Sequence, residues 1–481
     1  MDPAVLGAVS DRLTNLHESI AANNLATDTM WVVVAAILVM FMQAGFAFLE
    51  MGFSRQKNVG TIVAKVLMNF AICAVVFWAV GFAFGFGSGG SIIGYHGFAL
   101  NYTDPDVTFP GLSFSDVGIS AKWWFEFVFC AVSLAVVWGT TLERIKFSVY
   151  FIYAIVFSAI IYPLIAHWLF SGGWLSASLG SQDFAGSTVV HLTGATGALA
   201  VLLLLGPRRG KYGADGKPNV IPGHSMPFVG LATFILWFGW FGFNPGSTLS
   251  ALSSTGAAGD IRFADVVVVT NIAAACGVLG ALATIWLKTR KPDIGMACNG
   301  AIAALVAITA PSGYVNPWAA TIIGFVAGIV VVVGVLAIEK VLDDPVGALS
   351  AHGLAGIWGT LACGLFTDPT LAELNGVGEG GFVYTGSLHQ FFAQAVAVGA
   401  SFATVFAISF ATFFAIKATI GLRVKPEEES YGLDMTEHGM WGYPEQFMPV
   451  PGYEYHQPAA PAQRPAPRPA PVGLGTSDGA R

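Results

Sequence analysis

The sequence predicts an all-α integral membrane protein with eleven transmembrane helices. Two observations indicate this fold class. Only 11% of the 481 residues are charged and 55% are hydrophobic, with a mean hydropathy of +0.67, whereas soluble domains carry roughly 25% charged residues. The chain also contains many uncharged apolar stretches of about 18 residues or more, which is enough for a helix to cross a bilayer. Spanning segments must be helical because lipid offers no partner for free backbone amides.

The predicted spans follow one another along most of the chain, separated by polar loops. Abundant glycine suits close packing between membrane helices, although it would weaken helices in water. We place the eleven spans at residues 30–50, 60–87, 119–141, 147–169, 185–206, 223–247, 263–287, 294–310, 315–339, 347–367 and 388–417.

Basic residues give the predicted spans an orientation. Alternate loops contain Lys and Arg, but loops 88–118, 171–184, 311–314 and 368–387 contain neither, and 248–262 contains only Arg262. The positive-inside rule therefore predicts a cell-membrane protein with its N-terminus outside and its C-terminus in the cytoplasm. The basic positions are Arg55, Lys57, Arg144, Lys146, Arg208, Arg209, Lys211, Lys217, Lys288, Arg290, Lys291, Lys340, Lys417, Arg423 and Lys425.

Four regions are predicted. Residues 1–29 form an extracytoplasmic segment without a signal-peptide pattern, 30–418 the membrane domain, 419–457 a cytoplasmic region, and 458–481 a disordered Pro/Ala-rich tail. The net charge of -7 gives no support for nucleic-acid binding, which needs a basic face. The five cysteines show no metal-ligand spacing, so we expect neither a metal nor a cofactor.

Two histidines lie where a bilayer penalises ionisable groups. His191 follows Thr188-Val-Val in span five and His352 follows Leu349-Ser-Ala in span ten. At about 1.5 Å per residue, each lies on the order of 8–10 Å inside a ~30 Å core, from opposite ends. Spacing alone leaves two interpretations open: a pair facing a common interior path, or two unrelated histidines, each satisfied by a backbone carbonyl.

Other polar and aromatic residues cluster near the outer ends of spans. Trp123-Trp-Phe-Glu-Phe-Val-Phe129 and Phe238-Gly-Trp-Phe-Gly-Phe243 are typical of an interfacial belt, but the same rings can attract a small cation. Asp183 precedes span five as a helix N-cap. At the other, cytoplasmic end of span three, Glu143-Arg144 is interpreted as an interfacial charge pair.

Several separated motifs occur in a fixed order, and together they make the chain resemble the Amt/MEP/Rh ammonium transporter family from about residue 28 to 440. They are Arg55-Gln-Lys-Asn58, Glu143-Arg-Ile-Lys-Phe147, Asp183-Phe-Ala-Gly-Ser-Thr-Val-Val-His191, Gly239-Trp-Phe-Gly-Phe-Asn-Pro-Gly-Ser247, Asp343-Asp-Pro345, His352-Gly353, and Gly421-Leu-Arg-Val424 through Tyr431-Gly-Leu-Asp434.

The resemblance implies a homotrimer in which each subunit has its own pore between two inverted five-helix repeats, with a peripheral eleventh helix. It implies transport of ammonium or ammonia, and of methylammonium, and a PII-type regulatory protein at the cytoplasmic face. The roles implied are pore histidines for His191 and His352; outer recruitment for Phe125, Phe170 and Ser247; a gate for Phe129 and Phe243; and pore-proximal or structural roles for Asp183, Thr309 and Glu126.

The chain departs from the family pattern at three positions. Phe170 stands where Trp is usual, Glu126 where Gln is common, and Glu50 where Tyr or Cys is frequent. We expect a transporter and not an enzyme, because no nucleophile–base pair accompanies the two histidines. The competing hypothesis is an ammonium sensor that uses the same site to signal. Such a sensor would need an output domain, which residues 418–481 do not offer.

Overall fold

Long helices make up most of the residues that the structure describes. The computed structural model describes residues 3–251 and 262–447, and within them there are three isolated β-bridges but no strand. The all-α fold class is therefore confirmed. The eleven principal helices are α1 Pro3–Phe53, α2 Gln56–Phe86, α3 Ile119–Thr141, α4 Phe147–Ala177, α5 Ser187–Leu205, α6 Met226–Gly246, α7 Arg262–Thr289, α8 Ile294–Thr309, α9 Pro317–Ile338, α10 Leu349–Phe366 and α11 His389–Thr419.

The predicted spans fall on these helices, with one clear difference in length. Among the described residues, ten helices are long and apolar enough to cross a membrane, and α8 is a shorter apolar helix of 16 residues. α1 begins at Pro3, well before the predicted start at residue 30, and its side chains are exposed from residue 3 to residue 26. The described part of segment 1–29 is thus a helical extension of the first span.

α3 and α8 lie at the centre of the bundle. Almost every side chain of α3 is buried, and so is the whole second half of α8. The surrounding helices expose large apolar side chains such as Phe234 and Phe414, as expected where lipid is the solvent. Small residues let α7, α8 and α9 pack closely, because a Cβ at Gly300 would collide with Ala281.

The basic loops meet on one face of the bundle, which we call the basic face. Arg208 donates to both carboxylate oxygens of Asp343, at 2.8 and 2.9 Å. Glu143 pairs with Arg55 at 2.6 Å and lies 3.7 Å from Arg208, while Arg144 lies 3.9 Å from Asp343. The prediction that Glu143 and Arg144 pair with each other is therefore wrong, because each carboxylate is held by arginines from other loops.

The segment that follows α11 also packs on the basic face. Asp434 accepts a hydrogen bond from the backbone of Thr61 at the start of α2, and Asn58 accepts one from the backbone of Leu433. Glu429 accepts one from the backbone of Arg209. The chain from 421 to 442 is thus fixed to the start of α2 and to the loop between α5 and α6.

A short helix, Pro444–Phe447, belongs to a separate unit that begins at Tyr443. The predicted tail, residues 458–481, lies outside the described residues.

The Asp343 carboxylate gives the basic face a testable pH dependence. Burial alone would raise its pKa, but the hydrogen bonds and charge of Arg208, with the charge of Arg144, lower the pKa to about 2. Asp343→Asn should reduce the Tm of the detergent-solubilised protein at pH 7, since the lowered pKa corresponds to on the order of 2 kcal/mol. This contribution is complete above the unfolded-state pKa of about 3.9. The Tm difference between parent and variant should therefore shrink between about pH 4 and pH 2.

The matched control is Asp215→Asn, whose Lys217 partner is 83% exposed and whose own side chain is 59% exposed. Exposed pairs contribute little to stability, so this variant should have the same Tm as the parent. An equal loss of Tm in both variants, or a difference that persists unchanged to pH 2, would contradict the assignment.

Candidate functional site

Two π-helical turns carry the histidines. His191 lies in the turn Ser187–Leu192 that begins α5, and His352 in the turn Leu349–Leu354 that begins α10. The backbone N–H of His191 donates to the carbonyl of Gly186, five residues earlier. π-helical turns are rare and occur mainly at functional sites. α5 starts near the face opposite the basic face and α10 starts near the basic face, so the two turns approach each other from opposite sides.

The two imidazoles are in direct contact. Their Nδ1 atoms are 3.2 Å apart, the ring centroids are 5.3 Å apart, and both side chains are buried. One Nδ1 must donate and the other accept, so the neutral pair contains two different tautomers. The sequence-based depths would leave roughly 10–14 Å between the rings along the membrane normal. That separation is wrong, because α5 and α10 begin inside the bundle and not at its surface.

Aromatic rings surround the histidine pair. Trp240 stacks beside His191 with centroids 5.3 Å apart, and the Phe46 ring lies 6.5 Å from His352. Trp240 Nε1 donates to Thr309 Oγ1 at 3.0 Å, so Thr309 is linked to the site through this indole. Sequence reasoning did not single out Trp240, although its position one helical turn before Phe243 on α6 places both rings on the same face.

Two stacked phenylalanines cover His191. The Phe129 and Phe243 centroids are 4.0 Å apart with an interplanar angle of 19°, and Phe243 lies 5.5 Å from the His191 ring. Phe125, one turn before Phe129 on α3, lies 4.5 Å from it. The rings therefore form a series, Phe125, Phe129, Phe243 and His191, that leads inward to His352.

A cavity of about 850 Å³ opens at the outer end of this ring series, on the face opposite the basic face. Ser247, at the end of α6, donates its hydroxyl hydrogen to the Phe243 carbonyl at 3.0 Å, which leaves its oxygen available as an acceptor. The cavity brings together six of the predicted site residues: Phe125, Glu126, Phe129, Phe170, Asp183 and Ser247. Four others lie deeper and do not line it: Phe243, Thr309, His191 and His352.

Asp183 organises the start of α5. Its Oδ1 accepts hydrogen bonds from the backbone of Gly186 and Ser187, at 2.8 and 2.9 Å, and its Oδ2 from Thr188 and Val189, at 2.9 and 3.0 Å. A helix start normally leaves its first four N–H groups without partners, and here one buried carboxylate satisfies all four. This allows α5 to begin inside the bundle without leaving unpaired amides.

Glu126 is the other buried carboxylate at the cavity. Its side chain is 7% exposed, and Oε2 has no hydrogen-bond partner among the residues that the structure describes. Its environment thus differs from that of Asp183, where both oxygens are satisfied. Residues 3–251 and 262–447 contain no group of three His, Cys, Asp or Glu side chains that could hold a metal ion.

Comparison with known proteins gives the family. The sequence profile of the Ammonium Transporter Family matches residues 30–443. Ammonium transporter Amt2 of Archaeoglobus fulgidus is 46% identical over 433 residues, covering 87% of this chain and 89% of that protein. An ammonium transporter of Bacillus subtilis is 34% identical over 420 residues, covering 86% and 98%.

Solved structures agree with the sequence relatives. A structure described as a sensor Amt protein has a TM-score of 0.78 and 36% identity, covering 87% of this chain and 100% of that one. Mep2 of Candida albicans has a TM-score of 0.75 and 29% identity, covering 84% and 87%. With its long apolar helices, this protein is a multi-pass membrane protein, and the chain belongs to the ammonium transporter family.

Proposed function

We propose that this protein transports ammonium across the cell membrane by separating it into ammonia, which crosses a pore lined by His191 and His352, and a proton. The observation that carries the proposal is the imidazole pair at 3.2 Å, buried behind the stacked Phe129 and Phe243. This arrangement offers an uncharged molecule a path of rings and two hydrogen-bonding side chains. The same passage provides too few polar groups to replace the water molecules that surround a hydrated ion.

Desolvation provides the selectivity. An ion stripped of water in an apolar passage loses far more free energy than a ring face returns, so potassium and intact ammonium are both excluded. Ammonium can release a proton, and potassium cannot. Imidazoles suit the passage of ammonia because each neutral ring has one donor and one acceptor nitrogen.

The cavity is the proposed recruitment site. Phe125 and Phe170 supply ring faces for a cation, and Ser247 supplies an acceptor oxygen. Glu126 and Asp183 line the same cavity beside these groups. Deprotonation follows behind the Phe129–Phe243 pair, and ammonia then crosses the pore.

The proposed arrangement in the membrane has eleven spans, in two inverted five-helix halves with α11 peripheral. α5 and α10 support the repeat, since each begins with a histidine-bearing π-helical turn and they enter from opposite faces. The concentration of Lys and Arg on the basic face supports a cytoplasmic position for that face and an outer position for the cavity. We further propose that three subunits assemble as a homotrimer, by analogy with the family.

The cytoplasmic segment after α11 is the proposed regulatory region. Its contacts with Asn58, Thr61 and Arg209 connect it to the start of α2 and to the loop after α5. A PII-type protein bound on this face would act on the same contacts.

An ammonium sensor is the second candidate function. It is favoured by the solved structure described as a sensor Amt protein, which this chain matches with a TM-score of 0.78. A sensor needs the cavity and a means of passing on a signal, whereas a transporter needs the cavity and the histidine pore. Uptake of ammonium by vesicles that contain only this protein separates the two functions.

Phe125→Ala tests the recruitment site. A cation–π contact of ~1–2 kcal/mol corresponds to a roughly five- to thirtyfold change in affinity. The variant should therefore raise the half-saturating ammonium concentration by that factor and change the maximal rate much less. The measurement is the concentration dependence of uptake into proteoliposomes.

Phe406→Ala is the control, because that ring lies on α11 and lines a shallow apolar hollow away from the cavity. It should leave the concentration dependence unchanged. If Phe125→Ala also matches the parent at low ammonium, ring recruitment is excluded.

His191→Leu, His352→Leu and the double variant test the pore. If the imidazoles carry ammonia and keep the proton separate, each single variant should lose either rate or selectivity. The measurement is ammonium- and potassium-driven current on the same vesicles, together with ammonia uptake.

The folding control for these variants is the elution of the parent and variant oligomers in size-exclusion chromatography. Unchanged ammonium uptake, unchanged current and continued exclusion of potassium in all three variants would remove the histidines from the mechanism. They would then be buried packing residues.

A further inference from the structure

A heptad repeat runs along the N-terminal extension, which we define as residues 3–29 of α1. Its positions follow one another at alternating intervals of three and four residues, which is the spacing of the a and d positions of a coiled coil. The first five positions are apolar and the next two are polar. In order, the positions are Leu6, Val9, Leu13, Leu16, Ile20, Asn23 and Thr27.

The apolar side chains of this repeat are exposed in the single subunit. Every side chain from residue 3 to residue 26 is exposed, and the five apolar members of the repeat are 47% to 54% exposed. The helix nevertheless continues without a break from Pro3 to Phe53. Helices in proteins are stabilised mainly by packing an apolar face against a neighbour. The exposed face of the extension therefore calls for a partner outside the described residues of one chain.

The repeat continues in register into the membrane-spanning part of α1. Met30, Val34, Ile37 and Phe41 keep the same alternating spacing, and each is 43% to 63% exposed. From Leu6 to Phe41 the repeat covers five heptads without a change of register. Lipid imposes no such spacing, because it accepts an apolar side chain at any exposed position. A strict seven-residue repeat instead fits helices that coil around each other with a left-handed twist.

The composition of the extension favours a coiled coil over a helix that lies on the bilayer surface. Interfacial helices are rich in Lys and Arg and place aromatic side chains in the membrane. Residues 3–29 contain one arginine, no lysine and no Phe, Tyr or Trp. Outside the repeat the large apolar residues are Val5 and Leu25, and the side opposite the repeat carries Asp11 and Glu18. The apolar face is therefore narrow, as a coiled-coil seam is.

The residues of the seam favour three strands. Leu6 and Leu13 occupy a positions, and Val9 occupies the d position between them. A leucine at a with a β-branched residue at d favours three or four strands over two. Asn23 at a later d position is a polar side chain of the kind that fixes register. In the proposed homotrimer all three N-termini lie on the same side of the membrane, so their helices would run parallel.

We propose that the three N-terminal extensions of a homotrimer form a parallel three-stranded coiled coil on the outer side of the membrane. The partner of the exposed face is thus the same face of two further copies of this chain. The proposal rests on the proposed homotrimer and is independent of the transport mechanism. From Pro3 to Ala26 the extension is roughly 36 Å long, so the coiled coil would project well beyond the outer ends of the other helices.

Disulfide cross-linking of the full-length protein in proteoliposomes tests this contact. Leu16→Cys places a thiol at a d position, and Glu18→Cys, two residues later, places one on the side away from the seam. Under mild oxidation the first variant should form at least five times as much disulfide-linked dimer as the second. The product is a dimer because only two of the three thiols in one layer can pair. The parent gives the background, since its five cysteines all lie in helices of the bundle.

A second pair of variants tests the packing of the seam. Leu13→Lys, added to Leu16→Cys, would place three positive charges in the centre of the coil and should lower the yield of linked dimer at least fivefold. Thr14→Lys, added to the same cysteine variant, is the matched control. Its side chain lies outside the a and d positions, so the yield should stay unchanged.

Three results would overturn the coiled coil. The two cysteine variants could cross-link equally, Leu13→Lys could leave the yield unchanged, or Leu16→Cys could form no dimer while the bilayer shields its thiol from a water-soluble maleimide. The last result would place the extension on the membrane surface. Elution of the parent as a monomer in size-exclusion chromatography would reject the proposed homotrimer and the coiled coil together.

The cross-linking yield does not depend on transport. Loss of ammonium uptake by the parent would therefore reject the proposed transport function without changing the result for the coiled coil. All four substitutions lie in the exposed extension, so each variant should elute as the parent does and should take up ammonium at the parent's rate.

Discussion

The contact between His191 and His352 constrains the rest of the bundle. The two imidazoles lie in the first turns of α5 and α10, and both of these helix starts are buried in the bundle, where free backbone amides need partners. Asp183 accepts four such amides at the start of α5, and Asp344 accepts that of Leu349 at the start of α10. The helix turns that carry the paired histidines are therefore held by two carboxylates, Asp183 and Asp344, that do not contact the imidazoles.

The interior divides into an apolar and a polar region. Stacked rings lead from the cavity through Phe129 and Phe243 to the histidines, and this route provides few hydrogen-bonding groups. Beside it, α2, α3 and α4 place amides, hydroxyls and a charged pair in a continuous row. Phe129 and Glu126 line the cavity together, so both regions border it.

The sequence predicted the helices well because membrane insertion depends on composition over long windows, which single residues scarcely disturb. It predicted less about contacts between helices. The partners of Glu143 and Arg144 come from other loops, and the depth of the histidines depends on where α5 and α10 begin. The stacking of Trp240 on His191 likewise requires the arrangement of α6 against α5. Such relations are tertiary, and no local pattern encodes them.

The π-helical turns at Ser187–Leu192 and Leu349–Leu354 limit which sequence changes keep the two imidazoles in contact. A π-helical turn holds one residue more than an α-helical turn. Deleting one residue from it would restore the regular helix and rotate the histidine by about 100° relative to the remainder of its helix. The orientation of each imidazole is therefore set by the length of a segment as well as by its residues. Insertions and deletions, more than substitutions, are the changes that this part of the protein cannot accommodate.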